Sequence, residues 1–198
     1  FSTLFVPTLT PVQGFDIEFE QYGRQFTQEL QLISPESDTF NWVAGAYYFR
    51  GREGVRDMHN RVYGVYSAAF GGLSRFDIHG SESTKSLAGF AQGTPAVLDK
   101  TRLTLGVRYT SEKRTLDDSY LEGFVTVPFA GEISIGPLFP VRNDRQSIDE
   151  FTWRVALDHD FSADVMGYVS YNRGFKSGGF NVNDPSNEAY QPEQLDAY

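Results

Sequence analysis

"RLTLGVRYT", residues 102–110, alternates between apolar and polar side chains with a period of two. One face of this stretch carries Leu103, Leu105, Val107 and Tyr109. The other carries Arg102, Thr104, Gly106, Arg108 and Thr110. Because successive side chains of a β-strand point to opposite faces, the pattern predicts a strand with one apolar and one polar face.

The same period recurs in "EFTWRVALD" (150–158) and "QFTQELQLI" (25–33), and it predicts an all-β protein. An aromatic content of 15% also favours strands over helices. We expect one antiparallel up-and-down sheet. Its six or so strands are predicted near residues 24–33, 39–50, 83–95, 101–115, 149–160 and 164–176.

The predicted connections alternate between short and long. "SPESD", "AVLDK" and "DFSAD" are tight turns, whereas residues 51–82 and 116–148 are long loops. In an up-and-down sheet alternate connections lie at the same end, so this sheet has a short-turn end and a long-loop end. Outer-membrane barrels show this asymmetry, with strands of about 9–11 residues across the bilayer. The pattern therefore predicts a partial segment of a large transmembrane β-barrel.

Energetics predict which face meets lipid. An arginine on the lipid face at the middle of the bilayer costs about 2–4 kcal/mol. The apolar faces should therefore point outward, and five polar residues should face the lumen: Glu29, Gln31, Arg108, Arg154 and Asp158. A lumen wide enough for charges implies a large barrel.

Two other interpretations stay open on the pattern alone. A soluble β-sandwich that binds a ligand such as carbohydrate would show the same alternation with its polar face on solvent. The mean hydropathy of −0.38 is compatible with it. A passive porin-like channel would also have alternating strands.

Composition argues against several other classes. The chain has no cysteine, which excludes disulfides and thiolate metal sites. A net charge of −9 argues against general nucleic-acid binding. The histidines, His59, His79 and His159, lack metal-ligand spacing. No Ser/His/Asp arrangement stands out. We predict no enzyme, no cofactor and no metal site.

The stretch "RGFKSGG", residues 173–179, has the residue types of a phosphate-binding loop but the wrong spacing. Such a loop needs Gly-Lys-Ser or Gly-Lys-Thr opening a helix. Here Lys176 follows Phe175, and Gly178 and Gly179 stand where the helix should begin. The stretch is better explained as the end of a strand.

Four segments together resemble the barrel of TonB-dependent outer-membrane receptors. They are "FTQELQLISPESDTFNWVAGAYYFR", "TRLTLGVRYTSEKR", "VSYNRGFKSGGFN" and "YQPEQLDAY". The resemblance covers most of residues 24–198, whereas residues 1–23 match no recognised pattern. It implies that one of these segments contains a family motif in which a strand ends and an extracellular loop begins. The motif consists of Arg173, Gly174, Phe175, Lys176, Ser177, Gly178, Gly179 and Phe180.

The resemblance also implies a 22-stranded barrel closed by a plug domain, in the outer membrane of a Gram-negative bacterium. It implies uptake of a ferric siderophore or another scarce nutrient, energised through TonB. Because the chain has no plug domain and no TonB box, we expect a fragment. Its contact with TonB would pass through a missing N-terminal part.

Partners are expected at the outer rim. Aromatic side chains in the first long loop are candidate ligand contacts: Tyr63, Tyr66, Phe70 and Phe76. Arg173 and Lys176 are candidate contacts for lipopolysaccharide phosphates, alongside the lipid of the outer membrane. Gly174, Gly178 and Gly179 are expected to supply backbone angles at the strand end.

Overall fold

Eight strands form one antiparallel sheet in the computed structural model, which describes residues 14–63, 65–182, 184 and 186–198. The strands follow one another across the sheet except for β5, which pairs only with β4. The strands are β1 (Gly14–Ile33), β2 (Phe40–Tyr63), β3 (Arg75–Leu98), β4 (Thr101–Val127), β5 (Gly131–Pro137), β6 (Arg142–Asp160), β7 (Met166–Lys176) and β8 (Glu193–Ala197). One short helix, α1 (Val65–Ala69), follows β2. The prediction of an all-β, antiparallel up-and-down sheet is confirmed.

Short turns join the strands at one end of the sheet. Between β1 and β2, the Ser34 hydroxyl accepts the backbone N–H of Trp42 at 3.0 Å. Between β3 and β4, the two-residue turn Asp99–Lys100 places Lys100 at φ 60°. The connection between β6 and β7 is closed by Phe161 N–H donating to the Val165 carbonyl at 2.9 Å. These turns fix the register of the strands that they join.

At the other end the strands are longer than the sequence predicted. Residues 51–63 and 75–82 continue β2 and β3, so the predicted loop 51–82 is wrong in extent. The predicted loop 116–148 contains the rest of β4, the added strand β5 and the start of β6. Strand β1 begins at Gly14, ten residues before the predicted start at residue 24. Strand β8 is also additional to the six predicted strands.

In the half of the sheet remote from the short turns, the alternation of β1, β2, β3, β4 and β6 is interrupted by register shifts in four neighbouring strand pairs. They lie at Glu20/Gln21 in β1–β2, Val55/His59 in β2–β3, His79/Ser81 in β3–β4 and Leu116/Ser119 in β4–β6. Each extra residue at such a bulge moves the following side chains to the opposite face of that strand. Because of these shifts, the alternation of apolar and polar residues in the sequence does not continue past each bulge. The sequence therefore predicted loops there.

The two faces of the sheet differ in burial. One face, which we call the inner face, holds buried side chains of β3, β4 and β6: Ser86, Ala88, Thr110, Ile148 and Ala156. The opposite face is the outer face. Next to and beyond the register shifts the inner face also buries apolar side chains: Val55, Val62, Ile78 and Leu116. The core of the described chain therefore lies on the inner face, in the half remote from the short turns. Burying side chains of this size contributes about 1.5–3 kcal/mol each.

Over the described residues, the helical part of the fold contains no segment long and apolar enough to cross a membrane.

Candidate functional site

The outer face carries an exposed apolar surface on the half of each strand next to the short turns. In strand β4, Leu105, Val107 and Tyr109 are 47%, 46% and 52% exposed. We call this surface the apolar stripe; its other exposed members are Phe26, Leu30, Leu32, Tyr48, Leu87, Phe151, Val155, Leu157 and Val169. Side chains of this kind exposed over several strands suit a surrounding hydrocarbon rather than water.

The five polar residues predicted to share one face do so. Cross-strand register places all of them on the inner face: Glu29, Gln31, Arg108, Arg154 and Asp158. The pairing of the strands shows that these five residues share one face. Their exposure to the lumen of a barrel stays a prediction.

Most of these five have partners within the sheet. Asp158 accepts a hydrogen bond from Arg102 Nε at 2.7 Å. Gln31 donates to the Glu29 carboxylate. Arg108 Nε donates to Thr110 Oγ1 at 3.2 Å, and its guanidinium lies 5.4 Å from the Tyr47 ring centre. These contacts make a polar wall in which Asp158 is paired with a cation, whereas Glu29 and Arg108 have neutral hydrogen-bond partners.

Gly106 leaves a shallow depression in this wall. A side chain there would meet Gln92 at 3.5 Å, and the depression is bordered by Gln92, Arg108, Arg154 and Asn172. Two arginines beside a residue without a side chain give the inner face a local positive charge. Arg154 forms no ion pair with another described residue.

A second cluster lies on the inner face near the register shifts. Glu82 is 3% exposed, and its Oε1 lies 2.9 Å from Arg114 Nη1. Arg114 Nε also donates to Glu112 Oε1 at 2.8 Å. The backbone N–H of Phe180 donates to the Glu82 carboxylate as well. Burial raises the pKa of Glu82, since the loss of solvent outweighs the stabilising effect of Arg114.

The predicted strand-end motif lies where β7 ends, at Lys176, and the chain then folds back onto the inner face. Phe180 is 7% exposed, and Gly179 pairs with Tyr190 through two backbone hydrogen bonds of 3.0 and 3.1 Å. Gln146 Nε2 donates to the Tyr190 carbonyl at 3.3 Å. The segment after β7 therefore covers the Glu82–Arg114 pair.

The expected reason for the motif's glycines was wrong. Gly174, Gly178 and Gly179 do not have positive φ. A Cβ at Gly178 would lie 2.4 Å from the Tyr190 carbonyl oxygen, and one at Gly179 would lie 2.5 Å from the Tyr190 hydroxyl. Close approach to backbone, and not an unusual backbone angle, is what requires glycine at Gly178. The atoms nearest Gly179, in contrast, are the ends of the Tyr190 and Arg114 side chains. Gly174 has open space around it.

The four predicted loop aromatics are only partly brought together. Phe70 and Phe76 have ring centres 5.8 Å apart, and both contact Phe15, at 6.3 and 5.9 Å. Sequence reasoning missed Phe15 because it lies about sixty residues away and pairs through the register of β1 with β2. Among the described residues no ring contact joins Tyr63 or Tyr66 to this trio, and these two are 37% and 49% exposed.

The three histidines lie in separate environments. His59 Nδ1 lies 2.9 Å from Asp77 Oδ1, His79 stacks on Tyr120 with ring centres 4.5 Å apart, and His159 Nδ1 lies 2.8 Å from the Thr101 hydroxyl. Within the described parts of the chain, no three His, Asp or Glu side chains converge as metal ligands would.

Two comparisons place the chain among known proteins. A family model described as "TonB dependent receptor-like, beta-barrel" matches residues 2–198, which includes the segment before residue 24 that had matched no pattern. The fold is similar to that of the ferric yersiniabactin uptake receptor FyuA from Yersinia pestis, with a TM-score of 0.69 at 16% identity. The similarity covers 91% of this chain and 26% of that receptor, so the chain spans about a quarter of its length.

Proposed function

This chain belongs to the family of TonB-dependent receptor β-barrels, and from that premise we propose that it forms part of an outer-membrane receptor for a scarce nutrient. The proposed nutrient is a ferric siderophore or a similar complex. Members of the family are receptors of Gram-negative outer membranes and not enzymes. We propose the same location for this protein.

The two-faced sheet is the observation that carries this proposal. Its apolar stripe is exposed on the outer face, while Arg108, Arg154 and Asp158 share the inner face. Lipid on the outer face would remove the stripe from water, and a polar lumen would keep the charges hydrated. A soluble sandwich would instead pack the apolar side chains against a second sheet.

The inner face is proposed to act mainly as a wall. Glu29, Gln31, Arg108 and Asp158 have hydrogen-bond partners within the sheet, so each already has a polar contact without a ligand. In the whole receptor such a wall would face the plug. We propose that TonB acts on that plug region and not on this sheet.

Ligand capture is proposed for the aromatic side chains beyond the register shifts. Tyr63, Tyr66, Phe70 and Phe76 lie in or beside the connection between β2 and β3, at the sheet end opposite the short turns. Exposed rings at this end can stack on an aromatic or planar ligand.

Uptake by cells tests the proposal. The gene for the full-length protein would be deleted, and ⁵⁵Fe uptake from a panel of ferric siderophores would be measured with and without a functional TonB. Loss of uptake for one siderophore, with the same loss on removing TonB, is the expected result. Uptake that persists without TonB would indicate a passive channel. Retained uptake of all siderophores, with loss of growth on another nutrient, would overturn the iron assignment.

A further inference from the structure

Five cationic side chains lie together on the outer face of four neighbouring strands. Arg24 is directly opposite Arg52 in the pairing of β1 with β2. Arg50 is directly opposite Lys85, and Lys85 is directly opposite Lys113. All five side chains are exposed. We call these residues the cationic cluster.

Three cross-strand pairs of like charge are unfavourable for an isolated sheet. Directly opposite side chains have their Cβ atoms about 4.5–5.5 Å apart, and like charges at that distance are destabilising. No member of the cluster forms an ion pair with another described residue. Arg52 has a neutral partner, donating to Ser81 Oγ at 3.2 Å. A general excess of cations does not explain the cluster, because the chain has a net charge of −9.

The cluster borders the apolar stripe. Along the outer face, Arg24 is the next residue after Phe26, Arg50 the next after Tyr48, and Lys85 the next after Leu87. On β4 only Ser111 separates Tyr109 from Lys113. Each cation therefore lies at the end of the stripe that is remote from the short turns.

This position corresponds to one leaflet of the membrane, and the step rests on the proposed function. In outer-membrane barrels the short turns are periplasmic, so the remote end of the stripe meets the outer leaflet. The headgroups of that leaflet in Gram-negative bacteria are mainly lipopolysaccharide, whose lipid A carries phosphate groups directly above its acyl chains. Lysine and arginine next to a lipid surface are attracted to anionic headgroups.

We infer that the cationic cluster is a binding site for the lipid A phosphates of lipopolysaccharide. Phosphates seated between Arg50, Lys85 and Lys113 convert the like-charge repulsion into shared charge-assisted hydrogen bonds. The site spans four strands, which suits a headgroup with two phosphates at the ends of a disaccharide.

Lipid binding to the full-length receptor tests the inference. The cluster variant carries Arg50→Gln, Lys85→Gln and Lys113→Gln. A control variant carries Arg61→Gln, Lys100→Gln and Arg102→Gln, which removes the same charge from sites outside the cluster. Binding of Kdo-lipid A and of phosphatidylglycerol would be measured by native mass spectrometry on delipidated protein whose folded barrel is verified by its electrophoretic mobility.

We expect Kdo-lipid A to bind the cluster variant about tenfold more weakly or worse, and the control variant as tightly as the wild type. Equal affinities for wild type and cluster variant, or equal losses in both variants, would overturn the inference. So would wild-type affinity for phosphatidylglycerol equal to that for Kdo-lipid A. Siderophore uptake is measured separately, so a receptor that binds lipid A but transports no iron complex contradicts only the proposed function.

Discussion

Arg114 Nη1 lies 2.9 Å from the Oε1 atom of Glu82, whose carboxylate also accepts the backbone N–H of Phe180. One ion pair thus joins β3, β4 and the segment that follows β7. Substituting Arg114→Met leaves a buried carboxylate with one partner fewer. We expect the free energy of unfolding of the full-length receptor in detergent to fall by about 1–3 kcal/mol.

The control for that variant is Arg61→Met. Arg61 lies 3.9 Å from Asp16, their side chains are 40% and 62% exposed, and an exposed pair contributes about 0–1 kcal/mol. If both variants lose the same stability in guanidinium titrations, the buried pair has no special role.

Glu82 should also give the receptor a measurable pH dependence. Burial raises its pKa above the ordinary value of 4.5, so the native state binds the proton more tightly than the unfolded chain. That stabilisation is fully present below pH 4.5 and is lost as the pH rises through the folded-state pKa. The measurement compares the melting temperatures of the wild type and of Glu82→Gln. We expect the wild-type value to fall relative to that of the variant between pH 4.5 and about pH 7. A wild-type melting temperature that stays constant or rises relative to that of the variant over this range would contradict a raised pKa of Glu82.

Gly178 should not tolerate even a methyl group. A Cβ there would meet the Tyr190 carbonyl oxygen at 2.4 Å and the Gln146 side chain at 2.7 Å. We expect Gly178→Ala to destabilise the fold by about 1–3 kcal/mol and to speed amide hydrogen exchange of residues 177–190. Gly174→Ala is the control, because nothing lies within 4 Å of its added Cβ. Equal exchange in the two variants would show that the segment does not need the close approach.

The assignment of faces predicts opposite results for two arginine substitutions. Val107→Arg places a charge in the apolar stripe. It should lower the free energy of unfolding in lipid bilayers, measured by denaturant titration, by about 2–4 kcal/mol. Gln31→Arg places the same charge on the inner face beside the Glu29 carboxylate, where we expect little loss. A loss for Gln31→Arg that equals that of Val107→Arg would contradict the assignment of lipid and lumen.

Ligand capture by the aromatic residues can be tested on Tyr66, which is 49% exposed. Because a ring contact is worth about 0.5–1.5 kcal/mol, Tyr66→Ala should weaken binding of the transported ligand about two- to tenfold in calorimetry. Phe129→Ala is the control, since Phe129 is fully exposed in the turn between β4 and β5. Unchanged affinity in Tyr66→Ala would remove this residue from the proposed contact.

Sequence reasoning succeeded where the alternation is uninterrupted. Residues 102–110 precede every bulge in β4, so each side chain could be assigned to a face by counting. The same count places Arg108 and Arg154 on one face, although 46 positions separate them in the chain. It succeeds because the register of β4 with β6 is unbroken in this region.

The prediction failed where register and polarity change together. At Leu116/Ser119 the chain shifts by one bulge and the apolar side chains move to the inner face, so β4 beyond this point resembles a loop in sequence. The Glu82–Arg114 pair joins residues that no local spacing connects. The cationic cluster was missed for the same reason, since only the register shows that Lys85 and Lys113 are neighbours.

The length of β4 has a consequence for what reaches this protein from outside. The strand runs 17 residues past Thr110, which is about 55 Å along its own direction. In a receptor seated as proposed, with strands tilted by about 35–45°, the tip around Phe129 would lie about 40 Å farther from the membrane than Thr110. Antibodies and phage tail fibres that approach from outside would meet the hairpin tip first. Variation between strains should therefore concentrate at the tip and leave the bulged part of the sheet below it unchanged.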